Sequence, residues 1–315
     1  MRRDGAAYPV VDEGIPILLL PEVLSPAGRS RSFDVSEDKY AEAYEEMEHY
    51  NTVGDARARD VGRSRLAVPV ARAERAAKQH GQATFPAPGG LWLDAIYNAA
   101  TQWDAYMYLT PIAGKRVLQL GGSGTHALKF LFAGASEAWL LSPMVGELNH
   151  AVRMAAHFGL ADRFACAAGL AEELPFGDES FDIVYAGGCA HHFVTSLAFP
   201  ECARVLRPSG RFAAVEPWRA PFYGIGTRIF GKREPNVHCR PLTSSRIEPL
   251  FESFSHAEII HHGTLSRYPM IALGKLGLSL GMTAAWKVTR VDDAICSLIR
   301  PLRRFGSSVA VLATK

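Results

Sequence analysis

Short apolar runs and stretches of helical spacing alternate through the C-terminal two thirds of this chain. The runs 115–120, 137–142, 163–168, 181–186 and 211–216 suit strands buried on both faces of a sheet. Segments 125–132, 146–158 and 195–206 between them read as helices, and two more strands are expected at 256–262 and 307–314. The last of these helices ends at Arg204-Val205-Leu206-Arg207, with Pro208-Ser209-Gly210 as the break before the next strand. Strands and helices alternating in this way predict an α/β fold around a parallel sheet.

The N-terminal third has a different texture. Tyr8–Val11 and Ile15–Leu20 flank Asp12-Glu13-Gly14, a good hairpin turn. Tyr40, Tyr44, Met47 and Tyr50 fall at helical spacing over 37–50, and Trp92, Ile96, Ala99, Trp103 and Met107 do the same over 91–108. Aromatic stripes of this kind belong first to a core. The basic excess over 57–78 reads as a solvated helical face. The expected organisation is an N-terminal hairpin and extension (1–36), a helical cap (37–110) and an α/β domain (111–315). That domain carries inserts at 218–250 and 265–304. Inserts of that length in compact domains are usually lids or binding loops.

Composition narrows the picture. A chain of 315 residues, 48% hydrophobic, supports one large domain with additions. A net charge of only +2 argues against a dedicated nucleic-acid binder. Five cysteines, an odd number with no C-x-x-C pair, fit a reduced, cytoplasmic setting. Met1-Arg2-Arg3 is followed by no adequate apolar region, so a signal peptide is not expected. No run of apolar residues is long enough for a transmembrane span, which leaves membrane-surface contact open.

Two segments carry the chemistry. In the first, the strand Lys115–Leu120 leads through Gly121-Gly122-Ser123-Gly124 into the helix Thr125–Phe132. Glycines let the backbone approach a ligand, and a helix N-terminus offers N–H donors. The second is residues 169–217, with LPF-x3-SFD, the pair His191-His192, RVLRPSG and a closing Glu216-Pro217. Together these resemble the class I S-adenosylmethionine-dependent methyltransferases. The resemblance covers roughly 111–217 well and 256–315 loosely. It implies a doubly wound, mostly parallel seven-stranded sheet with a reversed final strand. It further implies S-adenosylmethionine as cofactor and methyl transfer to a small-molecule or lipid-like acceptor.

Carried onto this sequence, the resemblance points to Gln119, Gly121, Gly122, Gly124, Ser142, Leu170, Ala171 and Ala186 for the cofactor. Several positions depart from the family. The acid that usually ends the first strand is Gln119. The glycine turn either substitutes two glycines, at Ser123 and Thr125, or is one residue short. The acid that usually meets the ribose is replaced by Ser142 or, in the other register, Leu140; Glu147 lies in the next helix. An Asp often found near the adenine is Leu170. Losing several charge-assisted hydrogen bonds weakens binding steeply unless other groups compensate.

Methyl transfer needs alignment first, and a base only where the acceptor must lose a proton. His191, His192 and Glu216 are the catalytic candidates, since they sit at the carboxyl edge of the sheet. His238-Cys239 and His261-His262 show no metal-ligand spacing, so no metal is expected. The stretch YPVVDEGIPILLLPE resembles the last hairpin of a zinc-ribbon-like domain without its cysteines, and no zinc follows from it. The apolar insert 265–304 reads as a helical lid, with an acceptor pocket or a membrane-surface contact as alternatives. The rival to catalysis is a methyltransferase-like binding subunit, or another reaction on the same fold.

Overall fold

The computed structural model describes residues 10–11, 14–16, 18, 49–221, 223–230 and 240–315. Seven strands form one sheet: β1 (Arg116–Leu120), β2 (Glu137–Ser142), β3 (Phe164–Ala168), β4 (Phe181–Gly187), β5 (Leu206–Pro217), β6 (His256–His262) and β7 (Ser308–Thr314). Their order is β3-β2-β1-β4-β5-β7-β6. Strands β1 to β5 pair in parallel, and β7 runs antiparallel to both β5 and β6. This is the doubly wound, mostly parallel sheet with a reversed final strand that the sequence implies.

Among the described residues the longer helices are α1 (Ala67–His80), α2 (Ala99–Leu109), α3 (Thr125–Phe132), α4 (Val145–His157) and α5 (Thr195–Val205). They are followed by α6 (Tyr223–Phe230), α7 (Ser244–Ser253), α8 (Arg267–Lys275) and α9 (Met282–Leu298). Residues 49–58 are also helical. Alternate strand positions face opposite layers. Val117, Ile183, Tyr185 and Ala213 pack with Tyr106 and Phe130 on one side. Leu118, Val184, Phe212 and Ala214 pack with Phe199 and Leu250 on the other. Burial on both faces is why these strands are continuous apolar runs.

Two expectations need correction. The break at Pro208-Ser209-Gly210 does not precede β5 but lies inside it. Pairing starts at Leu206 opposite Phe181, slips, and resumes at Arg211 opposite Ile183. Ser209 takes φ +62°, and a Cβ at Gly210 would meet the Arg207 carbonyl oxygen at 2.8 Å. The segment is thus a bulge that bends the strand. The helix over 91–108 is also interrupted. A turn at Gly89–Trp92 and a 3-10 turn at Ile96–Asn98 precede α2. Gln102 explains the break, because its Oε1 accepts from both Asp94 N (2.9 Å) and Ala95 N (3.0 Å). The buried face of α2 accordingly carries Gln102 and Tyr106, while Met107 is exposed.

A buried polar network follows from that turn. Lys129, fully buried on α3, donates to Asp94 Oδ1 (2.8 Å) and to the Trp92 carbonyl (3.2 Å). Burial alone would raise the Asp94 pKa, but the Lys129 charge, the neighbouring His126 and the hydrogen bonds from Lys129 and Gln102 together hold the carboxyl below the usual range. Gln102 Nε2 donates to the Tyr106 hydroxyl, whose own proton therefore points to His126 Nδ1 at 2.6 Å. Burial, with Lys129 nearby, lowers the His126 pKa to about 3, so the imidazole is neutral.

The cap meets the sheet through helix 49–58 and α4. A Cβ at Gly54 would lie 2.2 Å from the Gly146 carbonyl carbon, and one at Gly146 would lie 2.1 Å from the Asn51 carbonyl oxygen. The two backbones cross with no side chain between them, and Asn51 Oδ1 accepts from Gly146 N (3.0 Å). The N-terminal ladder pairs Val10 with Pro16 and Val11 with Ile15. Ile15 is buried against Leu140 and Ala168, and Leu18 N donates to the Ala168 carbonyl (2.8 Å). The hairpin's turn residues Asp12 and Glu13, Tyr40, Tyr44 and Met47, and His238-Cys239 lie outside the described residues.

His262, at the end of β6, fastens α9 to α2. Its Nδ1 donates to Asp293 Oδ1 (2.8 Å) and its Nε2 lies 3.1 Å from Asp104 Oδ2, an ion contact off the hydrogen-bond axis. Arg290 reaches both carboxylates at 3.4 Å. Burial pushes the imidazole pKa down, but the two aspartates prevail and raise it to about 9. A folded-state pKa above the ordinary 6.5 means stability present below that value and lost as pH rises through about 9. Thermal melts from neutral to strongly alkaline pH should show a decline in the wild type that His262→Gln lacks. The variant should be less stable at neutral pH by about 2–3 kcal/mol. Parallel pH profiles would remove this role from His262.

Candidate functional site

Strand order reverses between β1 and β4, so the chain leaves the carboxyl ends of these two neighbours in opposite directions. Such a switch point is where open α/β sheets take ligands. A cleft of about 1210 Å³, counted with its open mouth, occupies the place. Gly121 and Gly122 form its floor after β1. Ser142, Met144 and Glu147 line one side after β2, and Leu170 and Ala171 continue the wall after β3. Cys189, His192 and Phe193 come from the turn after β4, and Tyr50 and Arg240 complete the lining.

The floor is a left-handed turn. Gly121, Gly122 and Gly124 have φ of +64°, +70° and +77°, a region that costs any residue with a Cβ. Gln119 staples the turn from below, its Nε2 donating to the Gly121 carbonyl (2.8 Å) and its Oε1 accepting from Ala127 N (2.7 Å). Both ends of that amide are engaged within the protein, so Gln119 shapes the cradle and does not line it. Gly124 has a packing role as well, since a Cβ there would lie 2.8 Å from the Ala151 Cβ on α4. A Cβ on Gly121 would strike Cys189, at 2.7 Å from its Cβ, and not the ligand space.

On the β2 side the two candidate positions differ in what they meet. Ser142 lies on the cleft wall, whereas Leu140 packs with Ile15 and Leu148 behind it. The Ser142 hydroxyl accepts from Met144 N (3.2 Å) and keeps its own proton for donation. A carboxyl group enters the cleft one element later. Glu147, in the first turn of α4, reaches the cleft, and among the described residues it has one ion contact, at 3.8 Å to Arg57. Burial raises its pKa to about 7, and Arg57 only partly offsets this.

On the β4 side the main chain is held by Glu216. This buried carboxylate accepts from Cys189 N (3.0 Å) and Ala190 N (2.8 Å) on Oε1. Its Oε2 accepts from His191 N (3.2 Å) and His191 Nδ1 (2.7 Å). From the far side, Arg246 on α7 donates to the His191 and Phe193 carbonyls, each at 3.0 Å. The Cys189 thiol donates to the Leu120 carbonyl (2.9 Å), and burial, then Glu216, push its pKa well up. It remains a thiol that ties the β4 turn to β1. Glu172 Oε1 accepts from Val194 N (2.7 Å) and closes the turn's other end.

The sequence-predicted residues therefore divide. Gly121, Gly122, Ser142, Leu170, Ala171 and His192 line the cleft. Gln119, Gly124, Ala186, His191 and Glu216 do not. Ala186 is fully buried in the sheet between Leu120 and Ala214. His191 and Glu216 are a positioning pair behind His192, whose ring centroid lies 4.0 Å from that of His191, the two rings tilted by 43°. Tyr50, Met144, Glu172, Cys189 and Arg240 were not among the predicted residues. The Gly187-Gly188 step after β4 was the available signal for Cys189, because Gly188 turns the chain at φ +75°. His261-His262 lies at the far end of β6, where His262 is engaged by Asp104 and Asp293.

Residues 118–214 match the family described as methyltransferase domain. An uncharacterized methyltransferase of Mycobacterium tuberculosis is 34% identical over 113 residues, which are 36% of this chain and 44% of that protein. A ubiquinone/menaquinone biosynthesis C-methyltransferase of Roseobacter denitrificans is 33% identical over 129 residues, 40% of this chain and 48% of that protein. The chain thus spans less than half the length of either relative. Among solved structures, a geranyl diphosphate C-methyltransferase of Streptomyces coelicolor, in complex with Mg²⁺, geranyl diphosphate and S-adenosyl-L-homocysteine, superposes with a TM-score of 0.51. It shares 13% identity, with 69% of this chain and 78% of that one covered, a likeness of fold.

The site makes two stability predictions. Gly121→Ala should destabilise the protein by about 2–4 kcal/mol in denaturant melts, from left-handed strain plus the overlap with Cys189. Gly122→Ala, where the nearest atom is Gln119 Nε2 at 3.5 Å, carries only the strain, about 1 kcal/mol. Adding Cys189→Gly should recover part of the Gly121→Ala loss, and Cys189→Ala should not, because it keeps the colliding Cβ. Equal losses at the two glycines would refute this assignment. Glu216→Gln places an amide NH₂ against donors and should cost about 2–4 kcal/mol. It should also raise amide exchange at 189–191 above that of the strands; unchanged exchange there would show that the turn holds itself.

Proposed function

We propose, for a chain whose residues 118–214 belong to the class I methyltransferase family, S-adenosylmethionine-dependent methyl transfer to a small-molecule or lipid-like acceptor. The observation that carries this reading is the cleft at the switch point, with a glycine floor, a hydroxyl, a carboxyl and apolar side chains on one wall, and Cys189, His192 and Phe193 on the other. The cofactor would supply an activated methyl group. Gly121 and Gly122 would let it lie against the backbone. Ser142 and Glu147 would meet its ribose hydroxyls, and Leu170 and Ala171 would cover the adenine. The carboxyl group thus moves from the strand end to the helix in compensation for Ser142. His192, on the wall and steadied by His191 and Glu216, is the group placed to take a proton from an acceptor that must lose one.

Relatives act on acceptors of this kind by name: the Roseobacter protein in ubiquinone and menaquinone biosynthesis, and a Mycobacterium ulcerans protein, 28% identical over 163 residues, on phthiotriol dimycocerosates. These names support an apolar acceptor class. Calorimetric titration with S-adenosylmethionine and S-adenosylhomocysteine tests the cofactor assignment. Affinity should rise as pH increases through about 7, where Glu147 ionises, and Glu147→Gln should weaken binding and flatten that dependence. Ser142→Asp should tighten binding about tenfold, the scale of one charge-assisted hydrogen bond. Leu140→Asp should only destabilise the fold. No binding of either nucleoside at about 1 mM would sink the reading in favour of a different ligand.

A further inference from the structure

We propose that helix α9 and the turn after it form a docking surface for an anionic lipid bilayer. The outward face of α9 carries Ala284, Val288, Val291, Ile295 and Leu298, spaced four and three residues apart in alternation, so they form one stripe along the helix. These are exposed side chains, with Val291 at 59% and Leu298 at 85%. Ile299 extends the stripe beyond the helix and is also exposed. The opposite face, with Met282, Ala285, Thr289 and Cys296, is buried against the protein, so the helix already has its core side satisfied. An apolar stripe this long on the solvent side marks an interaction surface.

Charge selects the partner. Between residues 265 and 304 there are seven Lys and Arg against two Asp, a net of +5 in a chain whose total is +2. Both acids are engaged: Asp292 accepts from Leu265 N, Ser266 N and the Ser266 hydroxyl, and Asp293 holds His262. Lys287 flanks the stripe, and Arg300, Arg303 and Arg304, all exposed, follow its end. Two copies meeting through this face would bring like charges together. An acidic lipid surface satisfies both the apolar stripe and its basic rim. The inference deepens the proposed function, since docking would bring the enzyme to the phase that holds a lipid-like acceptor.

The test is sedimentation of the full chain with vesicles of phosphatidylcholine alone or mixed with phosphatidylglycerol. Binding is expected to the mixed vesicles and to fall in high salt. Val291→Ser/Leu298→Ser and Arg303→Gln/Arg304→Gln should each weaken it about tenfold, with melting temperature and S-adenosylhomocysteine affinity unchanged. Equal affinity for both vesicle types, or variants that bind like wild type, overturns the proposal. So does a dimer in solution that Val291→Ser/Leu298→Ser dissociates while the vesicles remain bare. Nucleoside binding is read separately, so failure of the cofactor assignment and failure of the docking surface remain distinguishable.

Discussion

Four donors from one short turn converge on the carboxylate of Glu216, and the shape of the cleft follows from that convergence. Backbone N–H groups at 189, 190 and 191 and the His191 ring all point at one buried anion. Were they turned outward, the β4 turn would lack a fixed path. Held inward, they set Gly188 and Cys189 beside the glycine floor and present His192 to the cavity. The anion sits at the end of β5, an inner strand between β4 and β7, and is itself buried, so the wall of the site takes its position from the interior of the fold. Arg246 then clamps the turn's carbonyls from outside, which satisfies donors and acceptors of the same few residues on opposite sides.

The fold was largely legible in the sequence because strands buried on both faces leave unbroken apolar runs. The runs 137–142 and 256–262 are strands over those same residues. The site was legible where strand ends and the turns after them make it, as at Gly121, Gly122, Ser142 and His192. Side-chain roles escaped where two residues far apart in sequence share one task. Gln119 occupies a position where a ligand contact is implied, yet its amide is consumed by Gly121 and Ala127. Gln102 broke an otherwise regular helical stripe by accepting from Asp94 and Ala95. Nothing in local spacing reveals such hydrogen bonds, because they depend on which backbone groups tertiary structure leaves unpaired.

A carboxyl group on the helix wall of the cleft has an electrostatic cost. On α4 it lies beneath helix 49–58, where burial raises its pKa into the neutral range. Arg57, from the covering helix, is the compensating charge at 3.8 Å. Cap and ligand wall are therefore electrostatically linked: displacing the cap would both expose Glu147 to water and remove its counter-charge.

The crossing of Gly54 over Gly146 has a different kind of consequence, for how such chains diverge. Each position forbids a side chain because of backbone on the facing helix, Gly54 meeting Gly146 and Glu147 and Gly146 meeting Asn51, so neither can change while the helices keep their spacing. Descendants that retain the covering helix should keep both glycines together. Those that discard it should be free to place any good helix former at the position of Gly146. The pair would then vary as a unit, and its presence in a distant sequence would report the overlying helix even where the rest of the cap has drifted beyond recognition.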